Sequence, residues 1–261
     1  MEAPRKLRKS RGSSSEKARK IRQEGHDLAK LFAIFLGLPD DYRNDPKAKK
    51  DVIDPSGDAH SVKGGVKKWQ IFLYSKSRFE EFIVMNGIGE ILINCIDAFP
   101  EKYEDYIINK ELPKQNLRPH MVELANKLSD KRRLKAFLEK SIFNGGEVDY
   151  LTVYDDNKFH VFYHKDVCEV MANNFEVTNS QARTKYQIPE QKVLFRYKGK
   201  NVGELEMRND SVVHYKELRF NMIKPKAMQL LYENINEFKD FSDEIRVYGS
   251  AIKKFGNWRK Q

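Results

Sequence analysis

The spacing of apolar residues changes character near residue 145. Upstream, Ile21, Leu28, Leu31, Phe32 and Phe35 recur at helical intervals and predict a helix over about 16–36, ended by Gly37 and Pro39. A polar, lysine-rich stretch, 40–50, leads into DVID and DAHSVK. These flank Pro55-Ser56-Gly57 and read as a tight hairpin, followed by a buried strand, WQIFLY (69–74). The apolar run 79–99 reads as mostly helical, although Gly87 and Gly89 weaken it, and further helices are expected near 101–109, 119–128 and 130–143. After Asn144-Gly145-Gly146 the alternation has a period of two. Strands are expected over 148–154 and 158–163, then a helix near 165–174. A three-stranded meander follows over 192–197, 202–208 and 213–222, with turns at Lys198-Gly199-Lys200 and Asn209-Asp210-Ser211, and a helix over 225–238 closes the region. The pattern predicts an α/β protein: a basic, apolar-poor tail (1–15), a mixed α/β region (16–145) and a β-rich region of antiparallel meander plus helices (146–261). It contains no internal repeat.

Composition narrows the class. Hydrophobic residues make up 40% of the 261, enough for a core, while charged residues reach 33% and the formal net charge is +10. That balance favours a polyanionic partner. The two cysteines, Cys95 and Cys168, lie far apart in apolar surroundings, which points to buried free thiols and a reducing cytoplasm rather than a disulfide framework or a zinc site. No apolar run approaches the roughly 18–20 residues of a membrane span, and the basic N-terminus lacks an apolar signal core. The chain is expected to stay where it is made.

The hairpin carries the candidate chemistry. If Ile53 pairs with Ala59, Asp51 stands opposite Ser61, and Lys63 shares the face of Ser61 because strand side chains alternate. Opposed Cβ atoms lie about 4.5–5.5 Å apart, so Asp51, Ser61 and Lys63 are expected to converge. A carboxylate and the carbonyl of Val62 suit Mg²⁺, which prefers oxygen, and Lys63 could orient or deprotonate an attacking water and stabilise charge developing on phosphorus. The helix spacing places Glu24 on the Leu28/Leu31 stripe, as an inward carboxylate available for a metal. His60 points to the opposite face and is expected to pack or lie at the surface. A bland alternative is an exposed salt-bridge patch.

The order of these features resembles the core of the PD-(D/E)XK nucleases: a helix with an inward Glu, an Asp-bearing strand, a hairpin, a strand ending in x-x-Lys, a basic Gly/Lys loop, then a buried strand and a helix. SVKGGVKKWQIFLY resembles the lysine strand and basic loop of small type II restriction endonucleases that cut short palindromes, and RQEGHDLAKLF their first helix. KLSDKRRLKAFLEK, a strand pair and GELEMRNDSVVHYKELRF resemble their recognition half, so the likeness spans about 16–235. It implies a catalytic region to residue 145 and a DNA-recognition region after it. It also implies Mg²⁺ as cofactor, Asp51 as metal ligand, Lys63 as catalytic lysine, Glu24 as the helix acid, duplex DNA as substrate and a cognate DNA methyltransferase as companion. Two positions depart from the family pattern: Ser61 stands where Glu, Asp or Gln is usual, and Lys50 rather than Pro precedes Asp51.

DNA contacts are expected at two places. Lys67 and Lys68 follow the active-site strand and suit a phosphate backbone. In the meander, Leu218, Phe220 and Met222 alternate with Glu217, Arg219 and Asn221, while Arg208, Asn209, Asp210 and Ser211 cluster at the turn beside His214 and Lys216. Such a mixture suits base edges: Arg or Lys to guanine, Asn to adenine, carboxylate to cytosine. Gln181 and Arg183 are secondary candidates. Two other functions fit the sequence, a structure-specific repair or junction nuclease and a non-enzymatic nucleic-acid-binding protein.

Overall fold

The computed structural model describes residues 15–39, 51–65, 67–80, 87–182 and 186–260. Two sheets form. The first is six-stranded and mixed, in the order β1 (Val52–Ile53), β2 (Ala59–Lys63), β4 (Tyr150–Asp155), β5 (Lys158–Tyr163), β11 (Ile245–Tyr248), β10 (Phe238–Asp240). Its β2–β4 and β5–β11 pairs are parallel and the others antiparallel. The second is five-stranded and antiparallel: β3 (Lys68–Tyr74), β9 (Glu217–Ile223), β8 (Lys200–Arg208), β7 (Lys192–Tyr197), β6 (Glu176–Asn179). The α/β class holds. Both sheets draw strands from before and after residue 145, through β2–β4 and β3–β9.

Helix α1 (Ser15–Phe35) covers one face of the first sheet. Ala29, Phe32 and Ala33 pack with Val52, Val62, Tyr150 and Phe159, so β2 turns His60 and Val62 toward α1 and Ser61 and Lys63 away from it. Gly64 ends β2 where α1 passes close, and a Cβ there would collide with the Leu28 side chain. On the other face lies the larger core. It is shared by the second sheet (Phe72, Phe195, Phe220), by Leu151, Val153 and Phe162 of the first, and by helices α3 (Ile88–Asp97), α5 (Glu111–Leu128), α6 (Lys131–Phe143), α7 (His164–Asn174) and α8 (Lys224–Asn234).

Several elements differ from expectation. The run 79–99 holds two helices, α2 (Lys76–Glu80) and α3; residues 81–86 lie outside the described set. Helix α4 (Tyr103–Ile108) falls where a helix was expected. Helix α5 begins eight residues before the expected start at Pro119, at Glu111. Pro113 sits in the first turn, where an N–H is dispensable, and Pro119 lies on the exposed side, where the carbonyl it leaves unbonded can meet water. Strand β9 starts at Glu217 rather than near 213, because Lys216 takes a left-handed φ of 55° and the preceding loop bonds to itself. The short strands β6, β10 and β11 lie where none was expected, and α9 (Ala251–Lys254) follows them.

Candidate active site and nucleic-acid face

The hairpin register is the expected one: Ile53 opposes Ala59 and Val52 opposes His60. Asp51 N–H donates to the His60 carbonyl at 2.9 Å, carrying the ladder one residue further. This holds the Asp51 carboxylate over the face of β2 turned away from α1. Its Oδ2 accepts the Val62 N–H at 2.7 Å and the Ser61 hydroxyl at 3.5 Å, and lies 4.0 Å from Lys63 Nζ. Among the described residues every one of these contacts falls on Oδ2, and Oδ1 has no protein partner. The Asp51 side chain is 33% exposed and that of Lys63 25%, so both reach solvent from a seat formed by buried Ser61 and Val62.

This donor set fits Mg²⁺ in an open site. Such an ion commonly takes one or two carboxylates, keeps several waters and completes its shell with substrate phosphate. Asp51 Oδ1 and the neighbouring Ser61 hydroxyl supply oxygen and nothing softer. A closed protein cage is not present among the described residues, where no three His, Cys, Asp or Glu side chains gather for a metal. Glu24 is a correction. It is exposed, not inward. Helix α1 faces the side of β2 opposite Asp51, and Glu24 lies one turn beyond Leu28, which already packs at the strand end on Gly64. From Leu28 onward the apolar stripe packs on the first sheet, but Glu24 lies past the end of that contact.

The other face of the hairpin holds a buried polar network that sequence reasoning missed. His60 Nδ1 is 2.8 Å from Thr152 Oγ1 and its Nε2 3.4 Å from Asp54 Oδ2, with both His60 and Asp54 side chains wholly inaccessible. Asp54 Oδ1 also accepts the N–H groups of Ser56 (2.8 Å) and Asp58 (3.1 Å), closing the turn. His60 stacks on Tyr150, and the Tyr150 hydroxyl donates to Asp58 at 3.1 Å. Burial, then the charges of Asp54 and Asp149, push the Asp58 carboxyl above its ordinary pKa. His60 therefore packs, as its strand parity implied; the signal for the network was Asp54 sharing that parity-defined core face.

The expected DNA-facing residues do gather around β8 and β9, and most are already engaged. Arg208 pairs with Asp210 at 2.8 Å, His214 Nδ1 lies 2.9 Å from Glu217, Lys216 pairs with Glu101 at 2.7 Å, and Arg219 pairs with Glu206. Asn209 Oδ1 accepts the Lys216 N–H and Ser211 Oγ the His214 N–H, which shapes the 209–216 loop. Lys68 pairs with Glu204 at 3.0 Å, whereas Lys67 is exposed and forms no ion pair among the described residues. Burial favours a raised Glu204 pKa, but Lys68 and Lys192 outweigh it and hold the carboxyl below its ordinary value. Gln181 is exposed, and Arg183 lies outside the described residues. Glu204, Glu206 and Lys192 were missed as members of this face. The alternation of Glu204 and Glu206 about buried Leu205 was the available signal.

No protein-family model, curated protein or solved structure gives a significant match to this chain. Among the described residues no helix is long and apolar enough to cross a membrane.

Proposed function

We propose that this protein is a Mg²⁺-dependent type II restriction endonuclease with a PD-(D/E)XK core, cleaving duplex DNA at a short specific site. The observation that carries the reading is the convergence of Asp51, Ser61 and Lys63 on one strand face, where the two charged side chains reach solvent and Asp51 Oδ1 has no protein partner among the described residues. A bound Mg²⁺ would neutralise charge developing on the scissile phosphate. Asp51 would hold it, kept in place by the Val62 N–H. Lys63, beside that carboxylate, would orient the attacking water and donate toward the phosphate oxygens. Lys67 would track the backbone, and the β8–β9 face would present Arg208, Asn209, Asp210, Ser211, His214, Lys216, Glu217 and Arg219 to base edges. A methyltransferase modifying the same site is the expected companion.

A second reading, a structure-specific nuclease, is favoured by the acid partners already engaging Arg208, Lys216 and Arg219. Fewer groups are then free to read sequence. Incubating the purified protein with supercoiled plasmid, and with duplexes carrying a junction or a flap, in Mg²⁺ with an EDTA control separates the readings. Discrete fragments of constant size support the restriction enzyme; nicks confined to junctions or flaps support the second reading. Plasmid and branched duplexes all left intact across Mg²⁺ and Mn²⁺ would sink both and leave a nucleic-acid-binding protein.

A further inference from the structure

We propose that the cleft between α5 and the β7–β8 side of the second sheet is a binding site for one nucleotide, supplied by a base turned out of the duplex. That source rests on the nuclease reading; the chemistry of the cleft does not. The cleft has a volume of about 320 Å³ and opens beside residues 208–210, where the proposed reading face begins. Drug-sized ligands occupy pockets of roughly 300–1,000 Å³, so a single nucleotide is of suitable size.

The walls suit a base. Phe99 and Tyr106, both buried, join Met207 in an apolar floor on which a flat ring can rest. Two amides at its edge are half used. Asn209 spends its Oδ1 on the Lys216 N–H, and its Nδ2 donor has no partner among the described residues. Gln191 donates through Nε2 to the Lys114 carbonyl at 3.0 Å, and its Oε1 acceptor has none. A donor and an acceptor together complement the Watson–Crick edge of a base, since each of the four carries an acceptor beside an N–H donor.

The charge suits a phosphate. Lys114 has no carboxylate within 4.0 Å among the described residues; its ammonium lies 5.0 Å from the centre of the Tyr186 ring. Burial, then the neighbouring Lys110, lower its pKa, and an anion would relieve the repulsion. The acids of the cleft are already neutralised: Glu206 by Lys192 and Arg219, Asp210 by Arg208. The charge left over is positive.

The test uses full-length protein without metal. Titration with the four deoxynucleoside monophosphates, followed by NMR, is expected to show each binding at least fivefold tighter than inorganic phosphate. Lys114→Gln, and Met207→Trp, which fills the cleft, should each weaken that binding about tenfold at unchanged melting temperature. A labelled duplex carrying a G·T mismatch should bind about tenfold tighter than its paired parent, because a mismatched base costs less to unpair, and Met207→Trp should erase that preference while still binding paired DNA. Nucleotide binding without duplex binding would keep the site, assign it to free nucleotides and remove the nuclease reading. Nucleotide binding with duplex binding but no mismatch preference would overturn the turned-out base. Duplex binding with neither nucleotide binding nor mismatch preference would overturn the site and leave the nuclease reading standing. Should Met207→Trp not fold, Lys114→Gln and Gln191→Leu read the same cleft from its rim.

Discussion

Three aspartates surround one hairpin turn, and their environments assign them different work. Asp51 keeps one oxygen for Val62, Ser61 and Lys63 and presents the other outward. Asp51→Asn can still accept the Val62 N–H, so the fold should hold while the charge is lost. Cleavage rates are expected to fall on the order of 10²–10³, the scale of losing one pre-placed electrostatic contact, with DNA binding by anisotropy little changed; Lys63→Ala should behave alike. An Asp51→Asn enzyme at wild-type rate would move the metal elsewhere. Asp54 is a structural anchor, buried with His60 and accepting two turn N–H groups. Asp54→Ala should cost on the order of 1–3 kcal/mol of stability, the penalty of leaving buried partners unsatisfied, measured by urea unfolding. Asp58 is the opposite case. Its folded pKa is raised, chiefly by burial and then by Asp54 and Asp149, so the folded state loses stability as pH rises from the ordinary value of 3.8 through the raised one. Asp58→Asn removes the charge and keeps an acceptor for Tyr150. Its melting temperature should exceed wild type at pH 7 and converge with it below pH 4; a deficit at pH 7 would show that the carboxylate helps the turn.

At the scale of elements, β2 and β3 are neighbours in sequence but belong to different sheets. Lys67 and Lys68 are adjacent, yet Lys68 is held by Glu204 on β8 and Lys67 is not. Lys67→Ala should therefore lower the salt-dependence slope of DNA binding by about one and weaken all sequences equally. Lys68→Ala should do less, because its ammonium must first leave Glu204. Equal effects in a salt titration would mean that the Lys68–Glu204 pair opens freely on DNA. The hairpin register was legible because a turn of fixed length leaves a single alternation, and Val52 against His60 satisfies it. The meander was legible for the same reason, and β9 buries every second residue as its sequence alternates. The β3–β9 pairing was not, since nothing local relates Trp69 to Met222. Nor were β6, whose Glu-Val-Thr-Asn is too short and polar to register a period, or the true length of α5, where Pro119 reads as a start signal but is tolerated on a wet face. The position of Glu24 failed for a related reason: periodicity shows which way a helix face points, not how far the surface beneath it extends.

At the scale of the molecule, a change of pattern near residue 145 suggested two successive regions, and the strands cross that line in both sheets. Strand β2, which carries Lys63, lies between β1 and β4, while β3, four residues further on, closes the edge of the sheet proposed to read DNA. The large core unites side chains of both sheets: Phe72, Phe195 and Phe220 share it with Leu151, Val153 and Phe162. Removing residues 1–145 would strip β2 from β4 and β3 from β9, exposing two strand edges and the apolar faces that α3, α5 and α6 cover. Elements that share one buried core should unfold together, because neither set can keep its apolar contacts once the other is gone. Calorimetry on the intact chain is accordingly expected to give one transition with matching calorimetric and van't Hoff enthalpies, and the fragment 146–261 alone should lack the dispersed amide NMR spectrum of a native fold. On the nuclease reading proposed above, a base contact on β9 would reach the strand of Lys63 through the core that both sheets share. Two resolved transitions, or a folded 146–261 fragment, would show that the proposed reading face and the strand of Lys63 are separable units joined only by contact.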